Sequence, residues 1–474
     1  MKTNSLQAYP RYCHTARRSF AINLLSRALR TGATVAIGCA AVVSQANTQI
    51  PPPPQSKPLL VTGATLHTMS GVPIVNGRML IDKGRIVAIG TVEEIPDTVG
   101  ADVIAMNGKH IYPGLIAANS ALGLVEVQAV RATIDTAEAG AFNPNARALV
   151  AVNADSELIP VARSNGILAT LTAPLTGPTG LIAGTSALIQ TDGWTWETMG
   201  LIPEVGLHVS LPSMRFNPSL YSSLPAARLE EMQRLSTQRL KSLEEAFQQA
   251  AAYADAKAAE PALPIDVRWE AMRGAMRGER PVFIHADELP QIRHALQLAE
   301  RFKLKLIIVG GYDAWRLADL LKTRNIPVIL AGVHRLPLRR DDDIDAPFRL
   351  AAKLHAAGVK FAIARSGSAF DAATERSLPY EAATAVAYGL PREEAIKAIT
   401  LYPAEIIGAD RLIGSLQKGR LASFLVTDGD PLDIRTRVER IFIQGRELPL
   451  SDKHIKLNEK YQEKYRQLRS SKGG

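Results

Sequence analysis

Residues 282–330 read VFIHADELPQIRHALQLAERFKLKLIIVGGYDAWRLADLLKTRNIPVIL, and the fold is decided there. Val282 to Ala286 is a short β-prone run, and Leu289 to Phe302 then sets Ile292, Leu296 and Ala299 on one helical stripe. The alternation continues with strand Leu304 to Val309, helix Asp313 to Thr323, strand Pro327 to Leu330, helix Ala346 to Ala357, strand Val359 to Ala364 and helix Tyr380 to Gly389. Asp313 and Asp345 stand where N-caps belong. Consecutive βα units need parallel strands with crossover helices, so this half predicts α/β architecture and part of a (β/α)8 TIM-like barrel.

Upstream the pattern loosens. Ile167 to Thr172, Ser186 to Thr191 and Gly206 to Leu211 read as strands, and Pro225 to about Glu260 as a long amphipathic helix inserted in the barrel. Near the start, Leu59 to Thr65, Arg78 to Ile81 and Arg85 to Ile89 are short strands, the last two joined by a turn at Asp82-Lys83-Gly84. Phe424 to Thr427 and Arg440 to Ile443 are matching strands near the other end. The two ends are expected to form a small β-sandwich from residues 59–110 and 414–450, around a barrel of residues 111–413.

Residues 1–46 carry six basic side chains and no acidic one, then an apolar run from Ala33 to Val43 that is too short to span a bilayer. With Ser44-Gln45-Ala46 as cleavage site, this is a signal peptide, which predicts a periplasmic or secreted protein with no stable membrane span after cleavage. Arg17-Arg18-Ser19-Phe20 leaves the twin-arginine route open beside the general one. Both cysteines, Cys13 and Cys39, lie in the leader, so the mature chain has no disulfide. Loss of the leader lowers the formal charge from +9 to +3, which excludes a nucleic-acid-binding balance. Pro51 to Pro54 make residues 47–58 a stiff linker, and residues 451–474 a basic helical tail.

Four stretches together resemble the amidohydrolase superfamily, in its imidazolonepropionase-like and dihydroorotase-like branches. They are Gly84-Arg85-Ile86-Val87-Ala88-Ile89-Gly90, Gly108 through Ile116 (GKHIYPGLI), Ile399-Thr400-Leu401-Tyr402-Pro403-Ala404-Glu405, and Gly414 through Ala422. The resemblance implies a barrel with a β-sandwich and hydrolysis of carbon–nitrogen bonds in amides or cyclic amides. It also implies one or two divalent metals such as zinc, held at strand ends, that activate water.

The ligand positions depart from that pattern. Asn119 and Ala121 stand where the family has His-x-His, and Ala117 replaces the preceding acid. His285 matches the fifth-strand histidine, Gly310-Gly311 follow the sixth strand, and Ser366 falls at the eighth-strand aspartate. Among metal ligands only His285 survives, so no cofactor is assigned and the family's metal centre is expected to be degenerate. His294 and His355 fall in helices and His334 in a loop.

Two functions stay open. One is a carbon–nitrogen hydrolase in which His285 is the base, helped by Asp287, Asp313, Glu138 or Asp371, with Asn119 or Arg365 holding an oxyanion. The other is an inactive relative whose pocket, lined by Asn119, His285, Arg365 and Ser366, binds a small polar ligand or peptide. The expected partner is a small amide-type molecule, with a homo-oligomer left open.

Overall fold

The computed structural model describes residues 49–214 and 224–470; the leader and both cysteines lie outside them. Strands from both chain ends make one sheet. β1 (Leu59–Leu66), β2 (Ile74–Asp82), β3 (Arg85–Gly90), β4 (Asp102–Ala105) and β5 (His110–Pro113) join β16 (Phe424–Thr427), β17 (Val438–Ile443) and β18 (Arg446–Leu448), in the order β18-β17-β16-β5-β1-β2-β3 with β4 also on β1. The connecting strand is β5, which pairs parallel with β1 and antiparallel with β16. The ladder is therefore one eight-stranded sheet around Leu59, Val61, Met79, Ile111, Phe424 and Phe442, rather than two separate sheets.

The remaining strands form two further ladders. One is β10-β9-β7-β6, from β6 (Leu115–Ser120), β7 (Ile167–Thr172), β9 (Ala187–Gln190) and β10 (Gly200–Ile202). The other is β15-β14-β13-β12-β11-β8, from β8 (Ile182–Thr185), β11 (Leu207–Ser210), β12 (Pro281–Ala286), β13 (Lys305–Gly310), β14 (Val328–Ala331) and β15 (Phe361–Ala364). Strands β11 to β15 are parallel, as the βα alternation requires.

Two departures from a regular βα barrel stand out. The segment 182–190 runs antiparallel to both neighbours, β8 against β11 and β9 against β7, and passes from one ladder to the other at Ser186. There Ser186 N donates to Gly206 O and Val205 N to Ser186 O, which keeps the bend hydrogen-bonded. The ladders also do not close through one continuous hydrogen-bond row. They nevertheless share an interior: Ile116, Ala118, Ala169, Leu171, Leu188, Phe283, Ile307, Val309, Ile329, Ala362 and Ala364 form a single buried cluster. In β6, β7, β13 and β15 alternate residues point into it, so the alternation of a β-strand builds this core.

Helices Leu289–Phe302 and Ala346–Ala357 lie where the sequence periodicity puts them, whereas the predicted helix after Asp313 divides into a 3-10 turn, Ala314–Leu317, and a short α-helix, Ala318–Thr323. Neither Asp313 nor Asp345 caps with its side chain. The Asp313 carboxylate instead takes Arg339 at 2.7 and 2.9 Å, and a guanidinium is the stronger partner for a buried carboxylate than its own helix amides. The tail is an exposed helix, Lys453–Ser470, and among the described residues no helix is long and apolar enough to cross a membrane.

Candidate functional site

The C-terminal ends of β12 to β15 surround a cavity of about 370 Å3 lined by His285, Asp287, Gln291, Arg335 and Ser366 with Ala286, Val309, Gly310 and Ala331. A larger cleft, about 800 Å3, opens at the opposite ends of the same strands around Pro281, Lys305 and Pro327. In βα folds the loops after the strands carry the chemistry, and the smaller cavity is the one that lies at those ends, with His285, Asp287 and Arg335 on its wall.

His285 reaches this cavity as the fifth residue of β12, on the same strand face as Phe283. In the adjoining strand His208 stacks on Phe283 with ring centroids 4.5 Å apart, and its Nδ1 lies 3.1 Å from His285 Nε2. The two imidazoles share one hydrogen, which uses Nε2 of His285 and leaves its Nδ1 outside that bond. Burial, opposed by the charge of Asp287, pushes His285 down to about 4, and burial followed by His285 itself holds His208 well below the usual histidine range. Both rings are thus neutral at pH 7. His208 was missed in the sequence; the cue available was its position two residues from Ser210 on one strand face.

Asp287 forms the next wall. Its carboxylate accepts from Arg335 Nη1 and Nη2 at 3.0 and 3.1 Å, while Gln291 Oε1 receives the N–H groups of Asp287 and Glu288. Gly310 has φ +104°, and a Cβ there would lie 2.8 Å from Asp287 Oδ1. The glycine after the sixth strand therefore makes room for the Asp287–Arg335 pair.

A charged network lies beside the cavity. Arg365 Nη1 donates to Glu381 Oε1 and Nη2 to Asp371 Oδ1, both at 2.7 Å, with Thr374 Oγ1 at 3.1 Å from Nη2. Glu381 Oε2 also accepts from Val333 N and His334 N at 2.6 and 2.7 Å. Asp371 takes the Ser366 N–H and hydroxyl; burial raises its carboxyl, but the bonds from Ser366, Arg365 and Ser368 outweigh this and hold it below the usual range. Glu375, 1% exposed, accepts from Ser120 Oγ at 2.7 Å, and burial pushes it up to about 8 against the pull of Ser120 and Arg365. Asn119 donates Nδ2 to the carbonyl of Arg365 at 3.2 Å, and Gly367, at φ +76°, packs so closely on that amide that a Cβ would lie 2.5 Å from Nδ2.

His285 and Ser366 thus meet at one cavity, whereas Asn119 and Arg365 sit in the adjoining network and do not line it. Of the acids considered as helpers, Asp287 lines the cavity, Asp371 binds Ser366, Asp313 is taken by Arg339, and Glu138 lines a different cavity. Glu375 and Glu381 had no sequence signal, since their partners are brought to them by the fold, Ser120 from 255 positions away.

The residues present do not fit a divalent metal of the kind the resemblance implies. Asn119 is tied to the Arg365 carbonyl, Ala121 is a methyl, His285 Nε2 is engaged by His208, and Ser366 Oγ is engaged by Asp371. Among the described residues no three His, Cys, Asp or Glu side chains are grouped so as to hold a metal ion.

Comparison with known proteins agrees on family and fold. The amidohydrolase family model matches residues 162–448. The amidohydrolase tasK of Hapsidospora irregularis is 22% identical over 187 residues, 39% of this chain, and the match spans 19% of that relative's length. An amidohydrolase from Thermotoga maritima MSB8 superposes with a TM-score of 0.71 at 24% identity, over 82% of this chain and 99% of that one. Molinate hydrolase gives a TM-score of 0.51 at 15% identity, over 83% and 95%. At these identities the structural likeness is one of fold.

Proposed function

The chain belongs to the amidohydrolase family, and on that premise we propose that it is an exported hydrolase acting on a carbon–nitrogen bond of a small amide or cyclic amide. The ladders of β6 to β15 are read as a distorted (β/α)8 barrel with the chain-end sheet as its second domain, an arrangement supported by the shared interior cluster. The observation that carries the activity is the cavity at the strand ends with a neutral His285 on its wall.

A neutral imidazole accepts a proton from water as the water oxygen attacks the carbonyl carbon, and returns it to the departing nitrogen when the carbon–nitrogen bond breaks. With its proton affinity held low, His285 is a weak base, so slow turnover is expected. Metal-activated water forms no part of this route, because the strand-end donors do not suit a metal.

A second reading, binding without turnover, is favoured by the Arg365 network, which ties up Asn119 and Ser366 through its own bonds. A screen of N-acyl amines, lactams and cyclic ureides, scored for amine release and for thermal stabilisation, separates the two. Turnover that falls by about a hundredfold or more in His285→Gln supports the hydrolase. Stabilisation without amine release supports the binding role, and neither response across the panel overturns both.

A further inference from the structure

The strand ends offer a divalent metal no donor set, and a different cation already stands among them. Arg365 follows β15 directly, and its side chain is 14% exposed. Through Glu381 it is linked to the Val333 and His334 amides after β14. Through Asp371 it is linked to Ser366 after β15, and its own carbonyl takes Asn119 at the end of β6. One guanidinium therefore ties the ends of β14 and β15 together, and the backbone carbonyl of the same residue ties in β6. The third carboxyl of the group, Glu375, bonds Ser120 on β6, and Arg365 Nε, Glu375 Oε1 and Asn119 Oδ1 are buried without a partner.

We propose that Arg365 is the resident cation of this end of the barrel, taking the charge-neutralising and strand-tying role of a divalent metal, and that the native chain carries no such metal there. A guanidinium suits the role: it stays charged at any working pH and offers five donors in a fixed plane. Two buried carboxylates left without it would be strongly destabilising. The amides of Val333, His334 and Ser366 supply the remaining positive dipoles. The arrangement also accounts for the donor set, since side chains engaged by a guanidinium and its carboxylates are not free to ligate.

Removing the guanidinium should turn the group into a site for a hard cation, because carboxylate oxygens suit Mn2+. The test titrates the mature native chain and Arg365→Ala with MnCl2, following free Mn2+ by electron paramagnetic resonance and stability by the melting temperature. The native protein is expected to bind no Mn2+ and to show no shift. Arg365→Ala should melt on the order of 10 °C lower, bind about one Mn2+ and recover part of the loss on binding it, while Arg365→Lys stays insensitive to Mn2+. Stoichiometric divalent metal in the native protein, or a folded Arg365→Ala that binds no Mn2+, overturns the proposal. Should Arg365→Ala fail to fold even with Mn2+, R365M/D371N/E381Q removes the cation together with both carboxylates it holds; a folded triple variant blind to Mn2+ supports the proposal and an unfolded one overturns it. No readout uses turnover, so the proposed hydrolysis and the resident cation fail separately.

Discussion

Two regions at the C-terminal ends of the strands solve burial in opposite ways. At the end of β15 the polar groups are charged and densely bonded, with Arg365 held by Glu381, Asp371 and Thr374. At the ends of β11 and β12 two neutral, lightly bonded imidazoles, His208 and His285, share one hydrogen beside a cavity whose next wall is the Asp287–Arg335 pair. A guanidinium bonded to two carboxylates holds loops rigidly, whereas neutral imidazoles with a nitrogen to spare can exchange protons. On the proposed function, the first region serves the architecture and the second the chemistry.

The largest expected effect lies at the charged end. Glu381→Ala leaves Arg365 and two backbone amides without their acceptor, and should cost about 3–5 kcal/mol in denaturant unfolding. A loss near that of an ordinary surface change would mean that the network does not hold the strand ends.

Glu375 sharpens the contrast through pH. Its folded value, about 8, lies above the ordinary carboxyl value of 4.5, so the stability it contributes is full below pH 4.5 and is lost as the pH rises through 8. Over that window the unfolded chain binds fewer protons, and the change amounts to a few kcal/mol at about 1.4 per unit. Glu375→Gln should flatten the decline between pH 5 and 8, as read from unfolding midpoints; an unchanged slope would rule out the buried acid as its source.

Gly367→Ala should cost about 1–3 kcal/mol, because the backbone is left-handed there and the new methyl meets Asn119. If thermal melting shows no loss, the Asn119 amide is not as tightly seated as the structure has it. The smallest effect belongs to the neutral pair. His285, depressed from 6.5 to about 4, contributes stability that is full above pH 6.5 and lost as the pH falls through 4. His285→Gln should remove part of that acid sensitivity while costing only about 1 kcal/mol at pH 7.

Much of the second half of the fold is legible in the sequence. Val282 to Ala364 carries apolar runs and helical stripes whose periods differ, and local periodicity is enough to order strands and helices. Residues 182–190 were harder, because Ile182–Thr185 is fully buried and shows no alternation, and its antiparallel direction is set by partners on β7 and β11. At the site, His285 was legible from its place at a strand end, and Ser366 by its distance from β15. Arg335 gave no sign, since its partner Asp287 lies 48 residues away.

What the sequence determined by itself is the alternating βα half and the pairing potential of the chain ends, both of which follow from residue type and spacing. What only the tertiary structure decided is where the charges went. Arg365, Asp371, Glu375 and Glu381 are four ordinary polar residues in a row of loops and short helices until the strands converge. In a low-dielectric interior each must then find a partner or lose its charge, and long-range packing chooses which.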